Sequence, residues 1–101
     1  METVAREVAW SQGISPAQMS SLGQGPAGSR ARVLTAWLGR EVAGISIART
    51  AKHFRRDTST MARNVSRLEE RMRTEKRLRT LCNGLAERLF SKQNTIVQDF
   101  L

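Results

Sequence analysis

Residues 44–73 read GISIARTAKHFRRDTSTMARNVSRLEERMR, and local signals divide them into three parts. Ile47, Thr50, Ala51 and Phe54 recur at helical spacing and give a first helix with a mostly apolar face. Gly44 is expected to end the helix before it, and Ser46 to cap its start. Arg55 and Arg56 then form a turn. Asp57 follows as an N-cap, whose carboxylate can accept from the free N–H groups of the next helix and suits the positive end of its dipole. No Gly or Pro comes until Gly84, so this second helix can run several turns. Met61, Val65, Leu68 and Met72 form one narrow apolar stripe, the side expected to pack inward. The opposite side carries Ser59, Thr60, Arg63, Ser66 and Arg67.

A short helix, a tight turn and a longer basic helix stand in the order of a DNA-binding helix-turn-helix, whose second helix enters the major groove. Hydroxyls near that helix's start can meet phosphates or base edges, and Arg suits guanine O6 and N7 or phosphate oxygens. On periodicity alone the alternative is an amphipathic helix with a solvated basic face.

Charge is concentrated on the same region. The 101 residues carry a net charge of +8, with 17 Lys or Arg against nine acids. Residues 29–73 hold eleven of the bases and four of the acids, whereas residues 1–28 are net −1. General basicity for solubility would not be so uneven, so a polyanionic partner and salt-sensitive binding are expected. The length suits one small domain with a modest core. With no Tyr, three Phe and two Trp, that core must be aliphatic and Met-rich.

Working outward, residues 29–43 are expected to be a helix with Val33, Trp37 (or Leu34 and Leu38) and Val42 inward, Trp37 being the central aromatic. Residues 22–29, LGQGPAGS, read as a loop. Ser15 and Pro16 mark the start of a short helix with Met19 and Leu22 inward. Residues 2–11 give another helix, with Val4, Val8 and Trp10 at near-helical spacing, Ala5 and Ala9 alongside and Gly13 ending it. Beyond Arg73, Leu78, Leu81, Cys82, Leu85 and Leu89 form a stripe on a final helix over residues 75–90. That stripe packs back on the bundle or, alternatively, makes the chain a helical protein-interaction or dimerisation module. The remainder is read as a tail. The expected fold is all-α, a small bundle of about six helices containing a helix-turn-helix, with residues 1–92 as the domain and 93–101 as the tail.

Residues 56–72, RDTSTMARNVSRLEERM, resemble the signature of the C-terminal DNA-binding domain of the bacterial replication initiator DnaA, and of the similar domain in transposases of the REP-associated type. That signature reads Arg-Asp-His-Thr-Thr followed by an apolar residue. Arg56, Asp57, Ser59 and Thr60 fit it. Thr58 stands where initiators carry His, and the Asp-X-Ser-Thr form is closer to the transposase-associated versions. Residues 29–46, SRARVLTAWLGREVAGIS, resemble the family's preceding helix through Arg30 with Arg32 and Arg40 with Glu41. The likeness runs roughly over residues 2–92. It implies an all-helical Trp-repressor-like fold that binds a short double-stranded DNA site. It further implies base reading by Asp57, Thr58, Ser59, Thr60 and Arg63, and backbone contacts by Arg30, Arg32, Arg40, Ile47, Ala48 and Arg49. Arg55, Arg56 and Arg67 join the backbone set by charge and position.

No nucleotide-cradling Gly-rich loop with Lys is present, and the absence of Tyr removes a tyrosine nucleophile. The single His and single Cys carry no supporting signature. His53 is expected at the surface or steadying the turn, and Cys82 as a buried, inert thiol. The sequence therefore reads as a binding module rather than an enzyme, with no cofactor, metal or small-molecule substrate, and cytoplasmic for want of a signal peptide, a membrane span or paired cysteines. Double-stranded DNA is the expected partner, and the monomer the default state.

Overall fold

The computed structural model describes residues 2–14 and 26–99, with side chains over 3–14 and 28–91. Among the described residues it holds five helices and no strand: α1 (Glu2–Gln12), α2 (Pro26–Ala43), α3 (Ile47–His53), α4 (Thr58–Thr74) and α5 (Lys76–Asp99). The expected all-α class is observed. The short helix expected after Ser15 lies outside the described residues.

α2 is the pivot, because it packs on each of the other four helices. Its Ala31, Leu34, Trp37 and Leu38 are buried. They meet Val4, Val8 and Ala9 of α1, Met61 and Val65 of α4, and Cys82, Leu85 and Leu89 of α5 in one core. The Thr35 hydroxyl, also buried, donates to the Ala31 carbonyl at 2.8 Å, the local back-bond open to a helical Thr. The radius of gyration is 13.3 Å, close to the ~13 Å of a 100-residue globule.

Four expectations need correction. α2 begins at Pro26, not residue 29. Pro lacks only an N–H that a helix's first turn leaves unused, so it opens this helix rather than lengthening the loop. α5 runs to Asp99, beyond the end expected at residue 90, since no Gly or Pro after Gly84 interrupts it. Trp10 is 68% exposed, not in the core. It lies beyond the Val4–Val8 stripe, and the Arg88 guanidinium sits 4.6 Å from its ring centre, a cation–π contact. Leu81, placed on the inward stripe by spacing, is likewise left open at 39%.

Two helices end in the same hydrogen-bonded turn. After α1, Gly13 donates to the Trp10 carbonyl and Ile14 to that of Ala9. After α3, Arg55 donates to the Lys52 carbonyl and Arg56 to that of Ala51 at 2.8 Å. Both are Schellman motifs, which require a left-handed residue. Gly13 meets that need at φ 68°, and Arg55 at φ 55°. A third joint is shorter still. Glu75, at φ −106° and ψ 100°, is the single non-helical residue between α4 and α5. Its N–H donates to the Arg71 carbonyl and its own carbonyl accepts from Arg79. Among the described residues, no helix is long and apolar enough to cross a membrane.

Candidate nucleic-acid interface

α4 starts where the sequence predicts. Asp57 caps it, and one carboxylate oxygen accepts from both the Thr60 N–H at 2.8 Å and the Thr60 hydroxyl at 2.9 Å. The Thr60 N–H and hydroxyl, then the nearby Arg63 charge, hold the Asp57 carboxyl below its usual pKa. The cap thus orients Thr60. With its proton given to Asp57, the Thr60 hydroxyl offers lone pairs outward and acts as an acceptor, the complement of a base amino group.

The inward side of α4 is as expected. Met61 and Val65 are buried, with Leu68 and Met72 packed against the core. The outward side carries Thr58, Ser59, Thr60, Arg63, Ser66 and Arg67, all exposed. At the near end, Ala48, Arg49 and Arg55 are exposed as well. Ile47 packs its side chain against the core, which leaves its main chain for any outside contact. Ser46 caps α3 by accepting from the Arg49 N–H at 3.1 Å. His53 is exposed and meets Phe54 edge to face, with ring centres 4.9 Å apart.

Arg30, Arg32 and Arg40 do not share one fate. Arg30 is exposed. Arg32 is only 5% exposed, and it lines a 280 Å³ cleft at the start of α4 with Ser29, Arg56, Asp57, Thr60 and Asn64. Burial, and then the charge of Arg56, pull the Arg32 guanidinium below its usual pKa. Arg40 pairs with Glu41 at 2.9 Å and with Glu69 at 3.0 Å, tying α2 to α4. Burial lowers its pKa, but the bonds and charges of Glu41 and Glu69 outweigh this and raise it. A pair this open contributes at most about 1 kcal/mol, yet it occupies the guanidinium. Since α2 begins at Pro26, Arg30 and Arg32 fall in its second turn. Periodicity carried no sign of either the burial of Arg32 or the pairing of Arg40, because both depend on which helix lies opposite.

Cys82 is fully buried, and burial pushes its thiol pKa up, as an inert core thiol requires. Among the described residues, no group of three or more His, Cys, Asp or Glu could hold a metal ion. No protein-family model matches the chain, and no curated protein matches it either.

Proposed function

We propose that the chain is a double-stranded DNA-binding domain, with α3, its turn and α4 acting as a helix-turn-helix and α4 lying in the major groove. The observation that carries this reading is the outer face of α4: from Thr58 to Arg67 it exposes three hydroxyl side chains at the start, a fourth at Ser66, two arginines and no acid. A helix of 17 residues spans about 26 Å and fits a groove about 12 Å wide. Ser59, Thr60 and Arg63 read bases in this arrangement, with Asp57 setting the position of Thr60. Arg30, Arg49, Arg55 and Arg67 contact phosphates. Arg40 acts as a brace between α2 and α4, and Arg32 with Arg56 keeps the start of α4 positive. The likeness of residues 56–60 to the initiator and transposase-associated signature points to a replication-initiator-like or transposase-related setting.

The alternative of a dimer seam on α5 has less to work with, since Cys82, Leu85 and Leu89 are spent in the chain's own core. The deciding experiment is selection of bound duplexes from a random pool, followed by affinity against salt. Arg63→Ala should relax sequence choice at its position, at a cost of about 1–3 kcal/mol. Arg49→Ala should weaken all duplexes alike and reduce the salt slope by about 1. Recovery of no consensus, with both variants behaving identically, would refute sequence reading by α4.

A further inference from the structure

A groove of about 330 Å³ runs between α2, α4 and α5, on the flank of α4 away from the Arg40 brace. Its floor is apolar, formed by Val33 and Leu34 of α2, Leu68 of α4, and Leu78 and Leu81 of α5. Its rim carries Arg30, Arg67 and Arg71, and none of the described residues lining it is acidic. Arg30 and Arg67 are exposed, while Arg71 is partly neutralised by Glu75 at 3.0 Å. Leu81 is one of three large apolar side chains left open among the described residues, though its neighbour Cys82 is buried. An exposed leucine on the floor of an arginine-edged groove asks for a cover that is apolar in the middle and anionic at the edges.

We propose that this groove docks an acidic amphipathic helix of a partner protein. A Leu- or Phe-sized anchor would enter between Leu78 and Leu81, and flanking carboxylates would face Arg30 and Arg67. A neutral apolar segment would desolvate the guanidinium groups without a counter-charge, which is costly. A phosphate backbone would satisfy the arginines but leave the leucines wet. An acidic helix serves both, by the helix-in-groove mode that places anchors at i, i+3 or i+4, and i+7. The groove's size fits one or two such anchors. Its floor residues play no part in the DNA reading, so the two stand separately even though Arg30 and Arg67 serve both.

The test is selection from a displayed library of helical peptides on the intact chain, with the recovered peptide then titrated by fluorescence anisotropy. Acidic sequences with spaced Leu or Phe should be enriched. Leu81→Ser, which removes the anchor surface without changing charge, should weaken the recovered peptide by about tenfold, as should Arg67→Glu. Arg79→Glu, on the opposite side of α5, should change it by no more than about twofold. Circular dichroism checks that each variant remains folded. Failure to enrich acidic amphipathic sequences, full affinity for Leu81→Ser, or equal losses in Arg67→Glu and Arg79→Glu would overturn the proposal. A chain that selects a peptide but no duplex keeps the groove and loses the DNA reading, and the reverse result separates them the other way.

Discussion

The ends of α1 and α3 close with the same pair of hydrogen bonds, one around Gly13 and the other around Arg55. Gly enters the left-handed region freely, whereas a side chain costs about 1–2 kcal/mol there. Such strain persists only where the surroundings impose it. At Arg55 they do. Phe54 is 2% exposed and locks the end of α3 into the core, and Asp57 starts α4 two residues on. Gly13 is followed by a half-buried Ile14 and needs no such hold. The easy residue stands where the chain only has to turn. The strained one stands where it presents a cation beside the basic face of α4.

The largest expected effect comes from removing the lock. Phe54→Ala should lower stability by about 3–5 kcal/mol in denaturant unfolding, and Ile14→Ala by less than about 2. Equal losses would mean that the two turns are held alike. Exchanging the turn residues should give opposite signs. Nothing within 4 Å obstructs a Cβ at Gly13, so the cost of Gly13→Ala is conformational, about 1 kcal/mol. Arg55→Gly should stabilise by about 0.5 kcal/mol, relief of strain outweighing the freedom gained by the unfolded chain. On the DNA reading it should also bind duplex more weakly, with a salt slope reduced by about 1. Arg55→Gly with unchanged binding would leave the strain without a use.

The smallest effect concerns pH. The Asp57 pKa in the folded chain lies below its ordinary value, which is about 3.9 when unfolded. Its contribution is therefore complete above that value and is lost as pH falls through the folded pKa. Asp57→Asn, which keeps a capping oxygen, should flatten the acid side of the stability profile while changing the midpoint little at neutral pH.

What could be read from the sequence was whatever depends on neighbours along the chain. The spacing of Met61, Val65, Leu68 and Met72, the caps Ser46 and Asp57, and the terminators Gly13 and Gly44 are local, and the structure has each in its expected role. Side-chain fates set across helices were not legible. Arg32 and Arg30 look alike in the sequence, but one faces the start of α4 and the other the solvent. Trp10 looks like core, but Arg88, nearly eighty residues away, provides its partner at the surface. Leu81 looks like one more leucine of a stripe until the groove beside it is seen.

The single-residue joint at Glu75 constrains how the chain can change over time. Each residue inserted or deleted there would rotate α5 against α4 by about 100°. One step would carry Cys82, Leu85 and Leu89 off the core and separate Leu78 and Leu81 from Leu68. Lineages descended from this chain should therefore accept substitutions at Glu75 far more readily than a change in the number of residues between Thr74 and Lys76.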